Sequence, residues 1–275
     1  MDTYTNNLQR GEYALASGAR AVHRLFVLHN IYGPTGRRLL LEAGLRPGMH
    51  VADFGCGVGA VTRMLAEMVG AAGSVTGIDA SPQQIEQASK ICASAGLANV
   101  MFGTADAGDT GLPRQSFDLV YCRFLLLHLA DPEACLREMR EVLKPGGILV
   151  IEDGDLASAS SVPPTALNAF AKLFGLLGPT RGLNYSLAKN LFHMVKAAGF
   201  AEPRIEIHQP AGSSSDHGVL LTESVSEAGH AFVNAGLITR SQLNRTLAEM
   251  EAAANDPDVL VLAPRMSVVW ARKAA

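Results

Sequence analysis

The 275-residue chain is 48% hydrophobic and 18% charged, with a formal net charge of −3. That length allows one large or two small domains with a sizeable core, and that composition excludes global disorder. No run of Lys or Arg is present to neutralise phosphates, which argues against a nucleic-acid or anionic-membrane surface.

The first 18 residues are polar and lack a signal-peptide core, and no stretch of about 18 apolar residues reads as a membrane span. Residues 20–43 have helical spacing. Val22, Leu25, Phe26 and His29 share one face, the pattern restarts after Pro34, and it stops at Gly44. From Met49 onward, short strands and helices alternate: strand 50–54, helix 60–69, strand 74–79, helix 82–95 behind the Ser81–Pro82 cap signal, strand 99–106, and strand 116–124. Helix 132–143 follows, then strand 148–153, a helical region over 164–198, strand 204–210, a polar and helical insert over 209–263, and a last strand over 265–273. "GSSSDHG", at 212–218, reads as a mobile loop. Such alternation means a parallel sheet with helices on both faces, whose ligand sits beyond the carboxyl ends of the strands. The four cysteines (Cys56, Cys92, Cys122, Cys135) form no CxxC pair and read as reduced, mostly buried thiols of a cytoplasmic protein.

The first strand runs into "VADFGCGVGAVT", where Gly55, Gly57 and Gly59 leave the backbone bare. A dinucleotide is the first ligand to consider, since its pyrophosphate sits on a helix start. The spacing here is G-x-G-x-G, however, and Asp53 stands at the loop entry. A carboxylate there repels pyrophosphate and suits a cationic ligand. Asp79, ending the second strand, is placed to accept from ribose hydroxyls. Asp106, ending the third, is placed to accept from an adenine amine. An adenosine with a positively charged tail satisfies all three, and S-adenosylmethionine is such a molecule.

These stretches carry a family resemblance. "VADFGCGVGAVTRMLAE", "VTGIDASPQQIEQA" and the run from "FGTADAGDTGLP" to "KPGGILVIED" resemble the successive motifs of class I S-adenosylmethionine-dependent methyltransferases over residues 49–152. "RRLLLEAGLRPGMHV" resembles the lead-in of bacterial small-molecule members. The resemblance implies an α/β, Rossmann-like fold with a seven-stranded mixed sheet, helices on both faces and a helical cap. Residues 1–43 would be an N-terminal helical cap, 44–208 and 264–275 the cofactor-binding core, and 209–263 a lid inserted between strands six and seven. Gly55, Cys56 and Gly57 would line the amino-acid end of the cofactor, and Asp53 would contact its ammonium or orient the loop. Asp79 would hold the ribose, with Ala80 and Gln84 beside the adenine, and Asp106 and Ala107 on the adenine edge. Cys122 and Arg123 would lie next to the methionine part.

The acceptor is less well specified. "YCRF" stands where base-amine methyltransferases carry [DNS]-P-P-[YFW], and no Pro-Cys pair is present for cytosine C5 chemistry. Cys122 occupies the place of a metal-binding Asp, so no metal is expected. His128 and His29 are the candidate proton-handling groups, with His23, His217, Tyr13, His193 and Tyr185 behind them; each has a packing role as its alternative. Tyr4, Tyr13, Phe26 and Tyr32 before the core, and the insert, are apolar enough to cover a small hydrophobic acceptor, or else to complete the core or form a homodimer contact. The reading is methyl transfer to O, N or C of a small, fairly apolar, quinone-like or secondary metabolite. The alternatives are a protein that binds the cofactor without methyl transfer, such as a pericyclase or sensor, and an NAD-dependent oxidoreductase, against which Asp53 and the glycine spacing speak.

Overall fold

A computed structural model describes residues 19–213 and 215–274. Its main sheet is built from β1 (His50–Phe54), β2 (Ser74–Asp79), β3 (Val100–Thr104), β4 (Phe117–Arg123), β5 (Leu143–Asp155), β7 (Phe200–His208) and β10 (Arg265–Lys273), in the order β3-β2-β1-β4-β5-β10-β7. The first five strands are parallel, while β10 runs antiparallel to both β5 and β7. The sheet is therefore mixed, with one reversed strand. Three short strands, β6 (Ser160–Val162), β8 (Ala211–Gly212) and β9 (Leu260–Leu262), make a second small sheet.

Both faces of the main sheet are covered, so its strands are apolar on both sides. On β4, Leu119 and Tyr121 pack with α1 (Ala19–Ala43) and α2 (Ala60–Val69). Val120 and Cys122 point the other way, into a core with α4 (Pro132–Val142), α5 (Ala169–Arg181) and α6 (Leu191–Ala197). Ile148 and Val150 of β5 alternate with Leu149 and Ile151 in the same manner. Each fully buried Leu, Ile or Phe contributes about 1.5–3 kcal/mol of transfer free energy. α3 (Pro82–Ser94) is capped by the Ser81 hydroxyl with Pro82 in its first turn, and α4 by Asp131.

Several boundaries differ from the sequence expectation. α1 is one helix rather than two, because Pro34 and Asn30, whose carbonyl loses its helical partner, both face solvent. Its buried stripe holds Val27, Leu28, Tyr32, Leu39 and Leu40, whereas Val22, Leu25, Phe26 and His29 are only half-buried. The 164–198 region breaks into α5 and α6 with short 3-10 turns between. The expected mobile loop 212–218 is instead short strand β8 followed by α7 (Ser215–Glu227), which Gly218 allows to press against Ala254 of α9 (Arg240–Ala254). The insert also contains α8 (Gly229–Asn234) and strands β8 and β9, so it is not purely helical.

α1 and α7 close one end of the molecule together. Arg24 Nε donates to Glu227 Oε2 at 2.9 Å, with the two side chains only 3% and 4% exposed. Removing Glu227 takes a charged partner from a buried guanidinium, so E227L alone is expected to cost about 3 kcal/mol of stability. The R24M/E227L double variant is expected to recover most of that loss, as read by urea denaturation of both proteins; a double variant no more stable than E227L would show that the pair is not coupled.

Candidate functional site

The carboxyl ends of β1, β2, β3 and β4 open onto a cavity of about 470 Å³. It lies where the strand order reverses, with β2 and β3 on one side of β1 and β4 and β5 on the other. Gly55, Gly57 and Gly59 carry φ of 67°, 54° and 80°, the left-handed region in which a side chain is strained. A Cβ on Gly55 would stand 2.8 Å from Leu125 Cδ1, and one on Gly57 would stand 3.0 Å from Gln84 Oε1. No side chain caps the start of α2, whose first-turn residues Ala60 and Val61 line the cavity.

Asp79 organises this loop. Its Oδ2 accepts from Gly57 N at 3.0 Å and its Oδ1 from Ser81 N at 2.9 Å. Burial raises its carboxyl above the usual range, and the two amides oppose that rise. Each oxygen keeps a further lone pair for a ligand hydroxyl. Ala80, Gln84, Asp106 and Ala107 line the same end. Asp106 Oδ1 accepts from Gly108 N at 2.7 Å, which fixes a tight turn at the rim. Gly55, Cys56, Gly57 and Arg123 line the cavity as well. The residues thus fit S-adenosylmethionine: a side-chain-free cradle and helix start would hold its amino-acid end, and carboxylates its ribose and adenine. Burial and the Asp53 and Asp79 charges push the Cys56 thiol well up, so it packs as a neutral wall.

Three residues expected at the ligand do not line the cavity. Asp53 shares its strand face with Val51, turned toward α2, where its Oδ2 accepts from Thr62 Oγ1 at 2.6 Å. That bond ties β1 to α2 beneath the loop, and burial pushes the Asp53 carboxyl up to about 7. Cys122 faces the opposite core, fully buried, as the pleat of β4 dictates. His29 lies outside the cavity, its Nδ1 accepting from Arg123 Nη2 at 3.1 Å. Burial and the Arg123 charge push its imidazole down to about 4, so it holds Arg123 rather than taking a proton.

His128 does line the cavity, at the end of a 3-10 turn, Leu126–His128. It is half-buried, with its ring edge-to-face against Tyr185 at a centroid distance of 5.7 Å. Burial, then the charges of Arg24 and Arg181, push it down to about 3, so the imidazole is neutral near pH 7. It does not cap α4, which Asp131 does. Of the remaining candidates, His193 is exposed beside Phe192. His23 is exposed and lies 3.0 Å from Glu223. His217 packs against Gly212. Tyr185 is buried behind His128 and against Phe174. Tyr4 and Tyr13 lie outside the described residues.

The other half of the cavity was not anticipated residue by residue. Leu25 and Leu28 of α1, Leu125 and Leu129 after β4, Phe170 and Phe174 of α5, and Leu220 of α7 make its walls, with Arg24 and Ser224 among them. The i, i+4 spacing of Phe170 and Phe174 was a helix-face signal, but nothing local says which way that face points. Among the described residues, no group of three His, Cys, Asp or Glu side chains could hold a metal ion, and no helix is long and apolar enough to cross a membrane.

A methyltransferase-domain family model matches residues 45–196. A demethylmenaquinone methyltransferase of Staphylococcus aureus (strain MRSA252) is 32% identical over 167 residues, covering 61% of this chain and 67% of that protein. An aklanonic acid methyltransferase of Streptomyces sp. (strain C5) is 39% identical over 116 residues, covering 42% of this chain and about half, 53%, of that protein. The fold is similar to that of Haemonchus contortus phosphoethanolamine N-methyltransferase 2, solved with S-adenosylhomocysteine, at a TM-score of 0.59 and 17% identity over 91% of this chain and 57% of that one. With more than half of its length matched, from the residue before "RPGMHV" through α6, the chain belongs to the methyltransferase-domain family, and its cofactor is S-adenosylmethionine.

Proposed function

We propose that the protein methylates a small, fairly apolar ring compound of quinone-like or polyketide-like type. The observation that carries this reading is the continuity of the cavity. The glycine loop and Asp79 line it together with leucines and two phenylalanines carried by α1, α5, α7 and the segment after β4. When bound, S-adenosylmethionine supplies an electrophilic methyl carbon on a sulfonium. The chain's own residues supply position and dryness: the Leu25, Leu28, Phe170 and Phe174 side chains exclude water and hold a flat apolar body by contact area. An open, charged groove would suit a macromolecule better. The names of the two curated relatives, one acting on a demethylated quinone and one on a polyketide acid, support the same acceptor class.

The test is incubation with methyl-labelled S-adenosylmethionine and a panel of naphthoquinols and polycyclic phenols, followed by mass spectrometry of the organic phase. Transfer of label to one of these is expected. Transfer only to polar amines or to protein would reject the acceptor class, and cofactor binding without consumption across a broad panel would favour a non-transferring role.

Three substitutions test the parts. D79A is expected to weaken S-adenosylhomocysteine binding by about 1–3 kcal/mol in a titration, since it removes a hydrogen-bonded charged acceptor and frees the Gly57 amide. G57A puts a Cβ against Gln84 at positive φ and is expected to reduce that affinity with little change in the Phe170 chamber. H128F is expected to lower turnover more than cofactor affinity. It also carries a pH signature. The folded pKa of His128 lies below that of an unfolded His, so the unfolded chain binds more protons between pH 6.5 and about 3, and stability falls as pH drops through that window. H128F is therefore expected to lose about 1–2 kcal/mol less than wild type between pH 6.5 and 5; equal losses would place the acid sensitivity in other groups.

A further inference from the structure

Phe124 is the first residue beyond β4, and its backbone has a φ of 50°. That is the left-handed region, which an aromatic residue keeps only when its surroundings hold it there. They do so from several sides. Phe124 N donates to Glu152 O at 2.9 Å, and three residues on, Leu127 N donates to Asp153 Oδ2 at 3.3 Å. Gly154 of β5 pairs with Met266 in the ladder, at a φ outside the left-handed region, so its backbone does not call for glycine. The Phe124 ring does: a Cβ on Gly154 would overlap Cε1 and stand 3.0 Å from Cζ. The ring also meets Tyr32 of α1 edge-to-face at a centroid distance of 5.3 Å. Tyr32 is itself fully buried, with its hydroxyl donating to Pro264 O at 2.7 Å. Despite these contacts Phe124 is only half-buried, and it lines the cavity. The next residue, Leu125, packs over the bare backbone of Gly55 in the cofactor loop.

We propose that Phe124 is a specificity-determining residue: a fixed aromatic plate on which the ring of the acceptor stacks, one residue from the contact with the cofactor loop. The inference rests on the small-ring acceptor reading above and names a residue that recognises the ring. Two arguments converge. First, filling the gap between α1 and the sheet asks only for apolar volume, which an aliphatic side chain on relaxed backbone supplies. It does not ask for a ring at positive φ with a glycine cleared to receive it. Second, a ring already immobilised by Gly154 and Tyr32 offers a flat ligand contact area without a further loss of side-chain freedom. The preferred offset-stacked and edge-to-face geometries then set the tilt of that ligand as well as its distance. Methyl transfer needs the acceptor atom in line with the methyl carbon, so fixing the plane of the acceptor ring bears on turnover as well as on affinity.

The decisive measurement is calorimetric titration of the full chain, saturated with S-adenosylhomocysteine, with 2-naphthol and with its saturated counterpart trans-decahydro-2-naphthol. 2-Naphthol is expected to bind more tightly. F124L keeps apolar volume on the same backbone, and is expected to narrow that preference by about threefold or more while S-adenosylhomocysteine affinity stays within about twofold. F124Y, which keeps the ring, is expected to retain the preference. Gly154 does not line the cavity, so G154A displaces the ring without adding an atom to the walls, and it is expected to narrow the preference too. A preference that survives F124L, or survives G154A where F124L does not fold, would overturn the inference and leave Phe124 as packing. An equal loss of S-adenosylhomocysteine and naphthol affinity in F124L would overturn it as well. If the wild type binds both alcohols equally, the stacking inference falls while the small-ring reading stands. If it binds neither although it binds S-adenosylhomocysteine, the small-ring reading itself falls and takes this inference with it.

Discussion

The hydrogen bonds of one carboxylate hold the cofactor end together. Asp79 ends β2 and reaches across to Gly57 N, while its other oxygen takes Ser81 N at the start of α3. Two strand–helix crossovers are thereby fixed to each other at their turning points. The loop it holds has positive φ at alternate residues, a shape the backbone does not keep unaided. Cys56 N to Ile78 O at 2.9 Å and Gly59 N to Cys56 O at 3.0 Å complete the cradle. The cradle is therefore preorganised, and a ligand that binds it does not bear the ordering cost.

Beneath the cradle the sheet sorts its polar residues by pleat. Asp53, Arg123 and Glu152 fall on the face under α1, with Tyr121, while Asp153 and Cys122 fall on the other. Glu152 is fully buried, and a Cβ on Gly36 would sit 2.6 Å from its Oε1, so α1 approaches the sheet here only because Gly36 has no side chain. Burial pushes the Glu152 carboxyl up to about 7, against the pull of Arg123 and the Tyr121 hydroxyl. Its neighbour across the strand, Arg123, is turned instead toward His29 on α1. One face of the sheet thus transmits the position of α1 to the strand end that borders the ligand.

The sheet and the cradle were legible in the sequence because their causes are local. Glycine spacing, a carboxylate at each strand end and the Ser81–Pro82 cap each act within a few residues. Asp53 and Cys122 show where this stops: proximity to the loop is readable from spacing, but which side of the sheet a strand residue faces depends on register against neighbours far away in sequence. His29 shows a second limit. Its place on a half-apolar stripe was visible, but its partner lies 94 positions on, at Arg123, and only the packed fold brings them together. The acceptor half was the least legible, since α1, α5 and α7 each give a few side chains whose common chamber exists only after all three have docked.

That division has a chemical consequence. The cofactor end is made by consecutive strand–helix units of one sheet, so its residues cannot move independently without breaking the register of β1, β2 and β4. The rest of the cavity is made by helices that meet over the sheet, joined across α1 and α7 by the Arg24–Glu227 pair and around α5 by Phe174, whose ring is tilted against Phe170 and edge-to-face with Phe232. A side chain there can change size with only its packing neighbours to answer for. On the proposed function, the donor would be held by backbone and fixed carboxylates, while the shape of the acceptor would be read by side chains on elements that can vary without disturbing the donor. In such a site selectivity for the acceptor and affinity for the cofactor would be separable.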